Sequence, residues 1–290
     1  MDDDRTQLLR QVRQRLESLR RAGLDRLPIA PEPVRRPAEP VEQLEQEAVA
    51  ERAEPAVVAA TAARPARDAT RPPLVGPKPV SLFGDEGFDE PPAPESERAA
   101  LLEALAAEVA VCTRCPILVA YRTRTVFGEG SPTARLMFVG EGPGADEDRT
   151  GRPFVGRAGV LLTDMITKGM GLKREEVYIA NAIKSRAPDN RVPLPDELGH
   201  CRPYLERQIE IIRPQFLCLL GKTAVLSLLQ NDSSVGRLRQ RWLRYRGIPT
   251  IVTYHPAYLL RNPEAKKDAW EDLQMLMREM GLEPPPKRSG

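Results

Sequence analysis

One of the chain's two histidines, His255, stands in Tyr254-His255-Pro256-Ala257-Tyr258-Leu259-Leu260-Arg261, directly after an apolar run. Next to proline its backbone is stiff, and an imidazole held that way suits hydrogen-bond or proton donation to a reacting group. Other segments offer complementary chemistry. Gly140-Glu141-Gly142-Pro143-Gly144-Ala145-Asp146-Glu147-Asp148 looks superficially like a phosphate cradle. Its four carboxylates would repel a diphosphate, however, and it has neither a Walker lysine nor a full G-x-G-x-x-G. Gly140 and Gly142 instead suit close backbone approach to an uncharged ligand. Phe154, within Gly151-Arg152-Pro153-Phe154-Val155-Gly156, is either core or a stacking platform for a planar ring. Asn181 closes another apolar run, and its amide carries both the donor and the acceptor needed to read a base edge. Leu259 and Leu260 either start the packing of the last helix or form a wedge for a base stack beside Arg261. Upstream, Arg237, Arg239, Arg241, Arg244 and Arg246 interleave with Trp242 and Tyr245. That pattern suits a nucleic-acid backbone and its bases, or else a solvated basic face with Trp242 in the core.

These residues need a scaffold. Leu136–Val139, Val177–Ile183, Phe216–Leu220 and Ile248–Tyr254 are apolar runs of strand length. Helical stretches are expected at about 157–172, 203–212, 222–229 and 264–280. An earlier helix carries Leu101, Leu102, Leu105 and Val109, with Ser96 as its cap. The order β-α-β-α-β-α-β-α predicts a three-layer α/β/α fold around a mostly parallel four-stranded sheet. Loops leaving the carboxyl ends of such strands share a cleft, and the candidate residues fall there.

Composition divides the 290 residues. Residues 1–100 carry 15 basic and 19 acidic side chains, so the remainder has 28 and 22, and the positive excess lies in the folded part. Within 1–27, Leu8, Leu9, Val12, Leu16 and Leu19 predict a short amphipathic helix, either lying on the main domain or docking a partner protein. All 14 prolines of the first hundred residues fall in 28–95, and Phe83 and Phe88 are the segment's only aromatics. Such a segment buries too little apolar area to offset ordering, so a disordered linker is expected. The folded domain is expected over 96–283, with a tail at 284–290. No run of about 18 apolar residues or secretory h-region occurs, which predicts a soluble, cytoplasmic protein. Four cysteines in that setting read as metal ligands or buried apolar groups.

Taken in order, Cys112-Thr113-Arg114-Cys115-Pro116, Val139-Gly140-Glu141-Gly142-Pro143-Gly144, the Phe154 segment, Asn181-Ala182-Ile183-Lys184 and His255-Pro256-Ala257-Tyr258-Leu259-Leu260 resemble the iron–sulfur uracil-DNA glycosylases of family four, over roughly 97–283. The resemblance implies an α/β/α fold and hydrolysis of the bond between uracil and deoxyribose, initiating base excision repair. It implies that Gly140, Glu141 and Gly142 form the pocket, that Phe154 stacks on an extruded uracil, and that Asn181 pairs with its edge. His255 would polarise a uracil oxygen, and Glu141 would position water. That division suits the chemistry, because bond cleavage leaves an oxocarbenium-like sugar and a uracil anion. No lysine among these motifs stands as a nucleophile, so water attack without strand cleavage is expected. Leu259, Leu260, Arg261 and Arg241 are the expected contacts to uracil-containing DNA, made by a monomer with no membrane partner. The competing expectation is a DNA-binding scaffold that kept the fold and lost catalysis.

The resemblance also implies a [4Fe–4S] cluster on four cysteines, the third directly after N-x-x-K and the fourth 16 residues later. Cys112, Cys115 and Cys201 match, whereas Ser185 occupies the third position. Cys218 reads as a buried strand residue. That leaves a cluster with Ser185 or another non-cysteine group at the fourth iron, a degraded or three-iron cluster, or none; a serine alkoxide binds iron less well than thiolate, and a bound but labile cluster is expected. A zinc site at Cys112 and Cys115 is the weaker expectation, because no second closely spaced ligand pair follows.

Overall fold

In Leu136-Met137-Phe138-Val139 successive side chains point to opposite faces, and all four are buried, so apolar layers must cover both sides of this strand. The computed structural model describes residues 80–81, 88 and 90–283. Its strands are β1 (Val80–Ser81), β2 (Glu129–Gly130), β3 (Leu136–Gly140), β4 (Tyr178–Asn181), β5 (Phe216–Leu220), β6 (Leu243–Tyr245) and β7 (Ile248–Thr253), in the order β1-β6-β7-β5-β3-β4-β2. The four expected strands form the parallel centre, β7-β5-β3-β4, with Met137 opposite Tyr178 and Leu217, and Leu217 opposite Thr250.

The helices are α1 (Glu95–Ala110), α2 (Pro116–Tyr121), α3 (Ala145–Thr150), α4 (Arg157–Asp164), α5 (Pro195–Ile212), α6 (Lys222–Leu229), α7 (Val235–Leu238), α8 (Pro256–Arg261) and α9 (Ala265–Met280). Met137, Val139, Leu217, Leu219 and Val252 pack on one face with Leu205, Ile209 and Leu228 of α5 and α6. Leu136, Phe138, Cys218, Leu220 and Ile251 pack on the other with Leu162, Leu273 and Met277 of α4 and α9. The three layers are therefore those expected. Cys218 is fully buried, as a small apolar residue would be, and burial pushes its thiol far up.

Several expectations are corrected. Among the described residues the sheet has seven strands, because short edge strands flank the central four. β6 lies in the arginine-rich segment, where Leu243 and Tyr245 are buried around a half-buried Arg244. It pairs antiparallel with β7 through Arg246 and Gly247, both at positive φ, which is hairpin-turn chemistry. β2 pairs antiparallel with β4. β1 pairs with β6 inside the span expected to be linker, and Phe88 is gripped between the Arg213 and Arg246 guanidiniums, 3.6 and 4.2 Å from its ring centre. The ordered domain thus starts before residue 96. The rest of the expected linker, the 1–27 helix and the 284–290 tail lie outside the described residues.

Two helix starts also move. Helix α1 begins at Glu95 on Pro94, whose carbonyl accepts from Glu97 N–H, so Ser96 is not the cap. Helix α5 begins at Pro195 and runs through Pro203, which forfeits one hydrogen bond. Its first turn is braced by Glu197, which accepts from the Leu194 N–H at 2.8 Å and receives the Arg191 fork. Among the described residues no helix is long and apolar enough to cross a membrane.

Candidate active site

Strands β3, β4 and β7 end at Gly140, Asn181 and Thr253, and the chain beyond them encloses a hollow of about 510 Å³ lined by Glu141, Gly142, Phe154, Asn181, His255 and Arg261 among others. Gly140 lies behind this wall. A Cβ there would run into the Phe154 ring and stand 2.6 Å from Asn181 Oδ1, so only glycine lets amide and ring close up. At Gly142 an added Cβ would meet Ile183 at 2.7 Å.

Phe154 is both things its sequence allowed: it packs in the core, 5% exposed, and its ring also faces the hollow. Its backbone is held at φ +51°, a strained value for an aromatic. The restraint comes from Glu147, whose Oε1 accepts from Val155 and Gly156 N–H at 2.8 Å each while Oε2 accepts from Gly144 N–H at 3.1 Å. Glu147 therefore staples two loops together, a job its sequence position did not reveal. The Phe154 and His255 rings lie 5.5 Å apart, tilted by 35°.

His255 caps α8. The Ala257 N–H donates to its Nδ1 at 3.2 Å, so the neutral ring carries its proton on Nε2. Burial, and then Arg261, push its pKa down to about 4, so the ring is neutral at physiological pH. Nε2 is buried without a partner, and so is Oδ1 of Asn181, a residue only 2% exposed. Leaving such atoms unpaired costs about 1–3 kcal/mol each. Glu141 accepts a hydrogen bond from the Thr223 hydroxyl. Thr223 was missed in the sequence, although it follows strand β5 as the other site residues follow theirs. Gly221, at φ +88°, lets α6 start against His255, where an added Cβ would lie 3.0 Å from that of the histidine.

Cys112, Cys115, Cys201 and Ser185 line a second, smaller hollow with Lys184, Arg122 and His200. Arg122 donates to Ser185 Oγ at 2.9 Å and to the Cys112 carbonyl at 2.7 Å, and Cys115 Sγ lies 3.4 Å from His200 Nδ1. Burial first, and the neighbouring Cys201 next, push the Cys115 thiol up to about 11. Among the described residues no three His, Cys, Asp or Glu side chains converge closely enough to hold a single ion. Lys184, 1% exposed, donates to the Asn181 carbonyl at 2.9 Å and to Gln208 Oε1 at 2.6 Å, and burial pulls its pKa down to about 7.

Residues 127–274 match the family model described as Uracil DNA glycosylase superfamily. The chain is 44% identical over 192 residues to the type-4 uracil-DNA glycosylase of Sulfurisphaera tokodaii, covering 63% of this chain and 86% of the relative. To that of Thermotoga maritima it is 45% identical over 184 residues, covering 61% and 93%. The chain belongs to the uracil-DNA glycosylase superfamily. A type-5 uracil-DNA glycosylase of Pyrobaculum aerophilum is 30% identical over 180 residues, covering 51% of this chain and 79% of the relative.

As a glycosylase surface, the expected DNA contacts need revision. Leu259 is 1% exposed and packs with Ala265 and Ala269, so it does not project as a wedge; Leu260 is half-buried. Arg261 is exposed at the hollow. The arginine-rich segment does not present aromatics to bases. Trp242 packs against Phe216, Tyr245 is 5% exposed, and Arg239 is drawn onto Asp268 and Asp272 at 3.4 and 3.2 Å. Arg237 and Arg241 remain exposed, but neither lines the hollow.

Proposed function

We propose that this chain excises uracil from DNA as a monofunctional glycosylase, hydrolysing the N-glycosidic bond and leaving an abasic site. The observation carrying the reading is a pair of buried, unpartnered polar atoms, Asn181 Oδ1 and His255 Nε2, in two residues that line one hollow with Phe154. An imide N–H and a carbonyl oxygen are what these atoms lack, and uracil offers both on one planar edge. No observation favours the non-catalytic scaffold.

In this mechanism the nucleotide leaves the stack, its ring lies on Phe154, and Asn181 accepts the uracil N3 hydrogen. As the C1′–N1 bond lengthens, negative charge moves onto the uracil oxygen that receives the His255 Nε2–H bond. The donor is neutral and already placed, so it gains most in the transition state. Glu141, oriented by Thr223, orients a water toward C1′, offsets the positive charge on the sugar and takes the proton that water releases as it bonds to C1′ and the uracil anion leaves. Among the described residues no lysine lines the hollow, consistent with water as the attacking group.

The cysteine lobe suits an iron–sulfur cluster by its donor set, with three soft thiols and one hydroxyl around a shared hollow and no convergence on a single point. Cys112, Cys115 and Cys201 would hold three corners and Ser185 the fourth. When bound, the cluster supplies a cross-link between separate chain segments. Iron with broad visible absorbance in anaerobically purified protein is expected; zinc instead would overturn this assignment.

The deciding assay uses an oligonucleotide with one uracil, incubated with the protein and then treated with alkali. Cleavage at the uracil is expected, and no product at any protein excess removes the reading.

A further inference from the structure

Extruding a nucleotide leaves a gap in the base stack, and a duplex resists that loss of stacking. A glycosylase acting on duplex DNA therefore gains from an apolar side chain standing at the mouth of its pocket. Burial withdraws Leu259 from that role. Tyr258 also lines the hollow but is stacked on Tyr254, and the more exposed apolar side chains lie on the loop after β4. Asn190, Arg191, Val192 and Pro193 line the hollow, and Val192 is 66% exposed, with Leu194 beside it at 46%. In the sheet order β7-β5-β3-β4, this loop and α8 leave opposite ends of the central row, so they stand on either side of the entrance.

The loop is braced to present these side chains. Pro188, Pro193 and Pro195 limit its backbone, and Asp189 and Asn190 sit at φ +53° and +54°. Asn190 Oδ1 accepts from Arg186 at 2.9 Å, and Arg191 forks onto Glu197 at 2.6 and 2.8 Å. An exposed valine on a restrained loop is preorganised, so little entropy is lost when something packs on it. Across the mouth the exposed Arg261 has no acidic partner among the described residues and can meet a phosphate. Resting on the glycosylase reading, we propose that Val192, with Leu194 beside it, is the wedge that enters duplex DNA and fills the place of the extruded nucleotide.

The test compares kcat/KM on the same uracil oligonucleotide single-stranded and in duplex, for wild type and for Val192→Ser with Leu194→Ser. A wedge matters only where a stack must be replaced, so the duplex-to-single-strand ratio should fall about tenfold, and Val192→Met should recover most of it. A ratio within twofold of wild type, or wild-type protein without duplex activity, overturns the proposal. Product from the single strand keeps the glycosylase reading in either case. Its absence from both substrates would instead mark failure of that reading.

Discussion

The two hollows differ in how their polar atoms are satisfied. In the larger one Asn181 Oδ1 and His255 Nε2 are buried with nothing to bond. In the smaller one the groups bond one another, with Arg122 on Ser185 and the Cys112 carbonyl, and His200 beside Cys115. A site held open at an energetic cost is shaped by its transient visitor, whereas one whose groups lean together is shaped by what stays. Excision chemistry should therefore be sensitive to single atoms in the first hollow. The second should respond mainly through stability and iron retention.

The largest effect should come from His255→Ala. Removing a donor aimed at developing charge costs about 10²–10³ in kcat, measured by single-turnover excision, while DNA binding persists. Unchanged kcat would mean the donor is misassigned. Thr223→Val leaves Glu141 unguided and should cost about tenfold, the weight of one hydrogen bond to a charged group; an unaltered rate would free Glu141 from any need for orientation.

Acid sharpens the comparison further. The folded pKa of His255 is depressed to about 4 against an ordinary 6.5, so the unfolded chain binds the proton more readily. The resulting penalty is absent above pH 6.5 and grows as pH falls toward 4. Tm should drop across that window, and less steeply in His255→Ala; parallel curves would show that the ring titrates normally.

In the cysteine lobe, Ser185→Cys should raise iron per chain and slow the loss of visible absorbance in air, with a smaller change in kcat. Equal iron in both proteins would show that the fourth position does not limit the cluster. The smallest effect belongs to Phe88→Ala, which removes the ring between two guanidiniums and should lower stability by about 1 kcal/mol in denaturant melts, with excision unaltered.

The central sheet was legible because four apolar runs of strand length can hardly be anything else, and the strand-end rule then located Glu141, Asn181 and His255. What escaped did so for physical reasons. Strand β6 announces itself only by Leu243 and Tyr245 alternating around an arginine. Strand β1 sits among prolines and is recognised only by its partner. Arg239 looked like a phosphate ligand because its acidic partners lie about 30 residues away on α9. Leu259 and Leu260 are alike in the sequence, and only the turn of α8 buries one and not the other.

A side chain that caps a helix accepts from the main-chain hydrogen two or three residues on, and for His255 Nδ1 that hydrogen belongs to Ala257. A helix start thus chooses the tautomer of the imidazole, and folding and acid–base chemistry share one bond.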